Sequence, residues 1–180
     1  MKRIALAIGT LCLALAAAWL QAQDRRPAPP PELEKLNVWI GNWTLRGTAR
    51  DQPGGHEYNL HWQLREHWAL NGFFMQVDQL WEGNGQVLRA MEMLAYDPAK
   101  AIYTDSGFGS DGSTWSLTAN FRGSTMIETG NSLGPDGAIT RCRMTWVFGN
   151  SGQSLSGTED CDRNGVGWQA IEVKGTKSAR

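Results

Sequence analysis

The sequence predicts an all-β domain, an antiparallel up-and-down barrel of about ten strands with a short N-terminal helix. Three observations predict it. From Trp43 onward apolar and polar residues alternate with a period of two. The runs are broken by Gly, Asn and Asp at turn spacing. No 3.6-residue apolar period competes with the alternation. Ten antiparallel strands on short turns must close or stack to remove their edges.

The elements follow in order. Residues 1–22 read as a secretory signal: Lys2 and Arg3, an uncharged Ala/Leu-rich run from Ile4 to Leu20, then Ala22 as the cleavage residue. Ala16 and Ala18 offer a second small-x-small site, and an uncleaved anchor is the alternative. Leu11 before Cys12 argues against lipidation. Residues 23–31 (QDRRPAPPP) read as a stiff linker, and residues 32–176 as one domain. Glu32 to Ile40 is the helix candidate, with Leu33, Leu36 and Ile40 on one face. The strands are expected at 43–50, 56–70, 73–82, 86–96, 101–106, 113–120, 124–130, 138–149, 153–161 and 166–174.

A net charge of −1 with no basic run removes the electrostatic basis for nucleic-acid binding. No apolar segment after the signal is long enough to span a membrane. The destination is periplasmic or secreted. There Cys142 and Cys161, the cysteines left after signal removal, are expected to pair, with two buried thiols as the alternative.

Two-residue turns set registers. Asn71-Gly72 places Leu70 opposite Phe73, Trp68 opposite Met75, Glu66 opposite Val77 and Trp62 opposite Trp81. On the other face it sets Arg65 against Asp78, a favourable charge pair. Asn84-Gly85 places Trp81 opposite Leu88, Val77 opposite Glu92, Met75 opposite Leu94 and Phe73 opposite Tyr96. A tight turn at Pro98-Ala99 would set Leu94 against Tyr103 and Glu92 against Asp105. Ser151-Gly152 places Phe148 opposite Leu155, Met144 opposite Glu159 and Cys142 opposite Cys161. By that count the cysteines fall at a hydrogen-bonded pair, where side chains stand farther apart, so a bulge is allowed for between them.

The informative residues are polar ones on the apolar face. Glu66, Glu92 and Asp105 fall there in one row, with Glu66 and Glu92 about 10 Å apart at ~4.8 Å per strand. Ionised carboxylates in an apolar lumen need protonation, a cation, a basic partner or water. The row is therefore either a polar-ligand site or a structural network with hydroxyls and water. Trp62, Trp68 and Trp81, with Met75, Tyr96 and Tyr103, would supply the aromatic wall of such a site. Trp146 and Trp168 also point inward, and the same indoles would serve equally to fill the barrel. His61 and His67 share the polar face, six residues and about 20 Å apart at ~3.3 Å per residue, too far for one metal. His56 follows a Pro-Gly-Gly turn. The three are read as exposed side chains, and no metal site is predicted. There is no G-x-S-x-G, HExxH or phosphate-loop spacing, and no catalytic residue is assigned.

Leu36 to Gly47 (LNVWIGNWTLRG) resembles the short helix and Gly-x-Trp opening of lipocalin-like, calycin-type barrels, here Gly41-Asn42-Trp43. The segment MEMLAYDPAKAIYTDSG, with Arg65-Glu66-His67-Trp68 and Asn71-Gly72-Phe73-Phe74, is similar to an uncharacterised bacterial family of such barrels, catalogued as a domain of unknown function. The resemblance spans residues 33 to 175 and implies the barrel but no activity. Haem-binding nitrobindins are a more distant look-alike. Their histidine ligand comes late in the chain, whereas no histidine follows His67 here, so no cofactor is predicted. Lipocalins also pack a last-strand arginine on the opening Trp. By that likeness Gly41, Trp43 and Lys174 are structural, with Lys174 beside Trp43. The leading functional expectation is an exported barrel that binds an unidentified small molecule. The alternatives are an enzyme using the carboxylates for acid–base chemistry and a filled barrel acting on another protein through its outer surface.

Overall fold

A computed structural model describes residues 27–178. The expected signal lies outside the described residues. Ten strands form one closed, antiparallel, up-and-down barrel: β1 (Gly41–Ala49), β2 (Tyr58–Ala69), β3 (Phe74–Gly83), β4 (Gln86–Asp97), β5 (Ile102–Gly109), β6 (Thr114–Arg122), β7 (Thr125–Leu133), β8 (Ile139–Gly149), β9 (Ser154–Arg163) and β10 (Val166–Lys177). Each strand pairs with its sequence neighbours, and β10 closes on β1. Inward positions alternate with outward ones, so Leu60, Trp62, Leu64 and Glu66 of β2 are buried while Gln63 and Arg65 are exposed.

The segment before β1 is a 3₁₀ helix, Pro31–Val38. Its bonds run i to i+3, with Leu33 N–H donating to Pro30 O at 3.1 Å and Trp39 N–H to Leu36 O at 3.0 Å. The period of three replaces the expected α-helical face: Leu33, Leu36 and Trp39 are buried, and Ile40 is only half-buried. This helix plugs one end of the barrel. Trp43 is 1% exposed and its indole N–H donates to Trp39 O at 2.7 Å. Trp39 in turn meets Phe148 edge-on at 4.7 Å.

The side chain over Trp43 is Lys177, not Lys174. Closure pairs Trp43 with Lys177, whose Nζ sits 4.8 Å from the indole centre and donates to Val38 O at 2.9 Å. Lys174 pairs with Arg46 on the outer surface. β10 continues past residue 174, and a bulge between Gln169 and Ile171 displaces the simple count.

The registers across β2, β3 and β4 are those read from the sequence: Glu66 faces Val77, Val77 faces Glu92, and Arg65 faces Asp78. Asn84 and Gly85 carry the two positive φ values of a type I′ turn. The Asn71-Gly72 turn differs. Leu70, Asn71 and Gly72 all have positive φ, the loop takes four residues, and Phe73 stands outside the ladders expected for it.

Two further turns correct the expectation. The β4–β5 loop holds four residues, because the Asp97 carboxylate accepts from Ala99 and Lys100 N–H and holds the chain open. The register moves by two: Leu94 faces Asp105, and Glu92 faces Gly107. An even shift keeps Asp105 on the inner face. The β8–β9 loop is also four residues long, which inverts the hydrogen-bond parity. Phe148 N–H donates to Ser124 O towards β7, so Cys142 and Cys161 form a non-hydrogen-bonded pair, Cα atoms 4.1 Å apart, joined by a disulfide without a bulge between them.

Candidate functional site

The barrel is not filled. A cavity of about 360 Å³ runs from Trp39 at the plug to the opposite mouth, where it is bordered by Asp51, Asp111, Ser113, Gly134 and Pro135. This lies at the small end of ligand pockets, roughly 300–1,000 Å³. The plugged end carries the even-numbered hairpin loops (β2–β3, β4–β5, β6–β7, β8–β9), and the mouth carries the odd-numbered ones.

The aromatic wall is set residue by residue. Trp62 and Trp81 lie 4.2 Å apart, and Trp62 and Trp146 5.5 Å. Gln79 orients the first pair: its Oε1 accepts from Trp62 Nε1 at 3.1 Å and Trp81 Nε1 at 2.8 Å. That leaves its amide N–H groups to bond Glu92. Two indoles lie over glycines. A Cβ on Gly107 would come 2.0 Å from the Trp115 ring, and one on Gly157 2.3 Å from the Trp146 ring, so a side chain at either position would displace the indole. At the mouth Trp168 Nε1 donates to Arg50 O at 3.0 Å, and Arg163 lies over its ring.

Inside the mouth residues Asp51 and Asp111, five carboxyls face this cavity: Glu66, Glu92, Asp105, Glu128 and Glu159. Glu66 and Asp105 are each 2% exposed. Glu92 and Glu159 keep some accessible surface and both line the cavity. Burial raises all five. Desolvation, then the Glu92 charge, lifts Glu66 to about 9, against a lowering influence from Lys177. Desolvation and Glu128 lift Glu92 to about 8, although Trp115 and Gln79 donate to it. Asp105 is raised well above the usual carboxyl range by burial and by the charges of Glu92 and Glu128. Glu128, bonded by Trp146 Nε1 at 2.8 Å, and Glu159 both reach about 7, chiefly through burial. Both oxygens of Glu66 and Oδ1 of Asp105 lack any hydrogen-bond partner.

No protein-family model matches the chain, and no curated protein does. Sixteen chains of solved structures are similar to it. Rv2717c from M. tuberculosis aligns over 84% of this chain and 99% of its own, with a TM-score of 0.65 and 12% identity. The S-type phycobiliprotein lyase CPES from Guillardia theta aligns over 82% and 92%, with a TM-score of 0.49 and 7% identity. The likeness to Rv2717c is one of fold, and the catalogued domain family that the motifs resemble is not matched.

Of the residues expected at the site, the structure gathers Glu66, Glu92, Asp105, Trp62, Trp81 and Met75 around the cavity. Trp68, Tyr96 and Tyr103 are inward but lie in the plug. Trp68 Nε1 donates to Asn37 Oδ1 at 3.0 Å, and Tyr103 Oη donates to Glu32 O at 2.6 Å while packing on Tyr96. They sit on the side of the acids that the 3₁₀ helix covers. Glu128, Glu159, Gln79 and Trp115 are cavity residues that sequence reasoning did not single out. Glu159 and Gln79 were already inward by register. Glu128 was legible from the two-residue turn Gly123-Ser124, which sets it opposite Ala119. His61, by contrast, is on the outer face, 2.8 Å from Glu82, and His56 is exposed. The Glu159 carboxylate lies within 4.8 Å of both cysteine sulfurs, but sulfurs joined to each other offer no thiolate to a metal.

Proposed function

We propose that this chain is an exported barrel that binds a small molecule in its cavity. The observation that carries the reading is the cavity itself, whose wall holds both indole rings and carboxyls and in which both oxygens of Glu66 and Oδ1 of Asp105 have no partner. Export is supported by the N-terminal pattern of the sequence and by the Cys142–Cys161 disulfide. Ligand affinity would come from burial against Trp62, Trp81, Trp115 and Trp146, and orientation from the acids. The same wall supports a second reading as an acid–base enzyme, because Glu128 and Glu159, at about 7, lie near neutral pH.

Native mass spectrometry of protein purified from its own periplasm or medium tests the binding reading. The expected spectrum contains the processed chain plus a retained small molecule, and an Ala90→Trp variant, which fills the upper cavity, should lose it. Apo mass alone, together with no displacement of an environment-sensitive apolar dye from the lumen, would overturn the reading.

A further inference from the structure

We propose that the cavity selects organic cations, ligands with an ammonium on an apolar body, using Glu66 and Asp105 as counter-charges and the surrounding indoles as the lining. This rests on the small-molecule reading and names the chemical class.

The donor inventory of the wall makes the case. Carboxyls enter from β2, β4, β5, β7 and β9. The side-chain groups that donate to them, Trp115, Trp146 and Gln79, are all neutral. Among the described residues, the cations lining the cavity are Arg50 and Arg163, both at the mouth, where Arg163 is engaged with Thr140. Lys177 acts on Glu66 from below, through charge, with its Nζ on Val38 O. The deep wall thus offers acceptors in excess of donors. Glu66 and Asp105, both 2% exposed, keep three oxygens without a partner. A buried acceptor left alone is costly, so a ligand that complements this wall brings positive charge or N–H donors. An anion would be repelled by each of these acids that is ionised.

The aromatic component narrows the class. Indole faces attract cations through the ring quadrupole, most strongly where water is excluded. A hard divalent ion needs six or more oxygens in a compact shell, whereas these carboxyls come from five strands with indoles between them. A positive charge embedded in hydrocarbon satisfies both parts of the wall.

Protons compete with such a ligand. The groups facing the ligand are Glu66, Glu92, Asp105, Glu128 and Glu159, with Arg50, Asp51, Asp111 and Arg163 at the mouth and Lys177 below the floor. The acids are held partly protonated in the empty barrel, with Glu128 and Glu159 at about 7 and Glu92 at about 8. A cation whose own charge does not titrate should therefore bind more tightly as pH rises.

The test pairs benzyltrimethylammonium with neopentylbenzene, which has the same shape with carbon in place of nitrogen. Both are titrated by tryptophan fluorescence at pH 6 and pH 9. The cation should bind at least about tenfold more tightly than the hydrocarbon, with the difference larger at pH 9. Glu66→Gln and Asp105→Asn should each erase most of that preference while leaving neopentylbenzene binding unchanged. The wild-type comparison at two pH values needs no variant, so a variant that misfolds leaves it intact. Equal, pH-independent binding of the two probes overturns cation selection and leaves the small-molecule reading standing. Binding of neither probe, or of calcium in preference to benzyltrimethylammonium, also overturns it, and mass spectrometry of the purified protein then judges the small-molecule reading separately.

Discussion

Glu66 and its neighbours make stability depend on pH in an unusual sense. An acid whose folded pKa lies above its unfolded value binds more protons folded than unfolded. Its contribution is complete below about 4.5 and is lost as pH rises through the folded values, about 7 for Glu128 and Glu159, about 8 for Glu92 and about 9 for Glu66. The ligand-free barrel should therefore melt at a higher temperature at pH 5 than at pH 9. Glu66→Gln, which removes the charge and keeps the shape, should flatten that slope; a wild-type melting temperature that rises towards pH 9 contradicts the burial of these charges. Gln79 acts at the same scale. Its Oε1 holds two indoles and its amide one carboxylate, so Gln79→Met leaves the Trp62 and Trp81 N–H groups without a partner and removes one of the two donors to Glu92. The expected cost is roughly 1–3 kcal/mol, read by denaturant unfolding. At this scale the sequence made Glu66, Glu92 and Asp105 visible because acids are rare on an apolar face. Trp115 and Trp146 gave less warning, since a tryptophan on an inner position packs or lines a cavity with equal ease.

The hairpins were legible in proportion to how strongly their turns prescribe geometry. Asn84-Gly85 allows a two-residue type I′ turn, and the pairings counted from it hold as far as Met75 opposite Leu94, failing only at Phe73, which the neighbouring loop takes out of the strand. At Pro98–Ala101 a side chain intervenes: Asp97 bonds two loop amides, and Ala101 is forced to φ 54. A left-handed conformation costs an L residue roughly 1–2 kcal/mol, so Ala101→Gly should raise stability by up to about 1 kcal/mol, measured by the shift in urea midpoint. No change would mean that the loop relaxes freely. The β8–β9 hairpin carries the disulfide across neighbouring strands, closing a separation of 19 residues. Replacing both cysteines by alanine should cost roughly 2–4 kcal/mol. Peptide mapping under non-reducing conditions that recovers two free thiols would remove the basis for that figure.

For the whole molecule the decisive contact is the plug. Trp43 is packed against Trp39 and Phe148 and covered by Lys177. Trp43→Ala should destabilise by roughly 3–5 kcal/mol. His61→Ala removes a half-exposed pair with Glu82 and should cost no more than about 1 kcal/mol. Equal losses in the two variants would contradict the division into inner and outer faces. The barrel's class, its ten strands and the side of the sheet each residue occupies follow from local pattern, because alternation with a period of two assigns faces without any knowledge of partners. Even the two-residue slip at β4–β5 left Asp105 inside. The tertiary structure alone decided which inward residues share a space. Trp68, Tyr96 and Tyr103 went under the helix, and Lys177 replaced Lys174 over Trp43. Glu128, from a far strand, came close enough to Glu92 for its charge to act there, and Glu159 joined the same cavity. Closure causes this: bending the sheet until β10 meets β1 brings opposite walls together and adds a bulge and a plug, and none of these leaves a mark in a single strand's sequence.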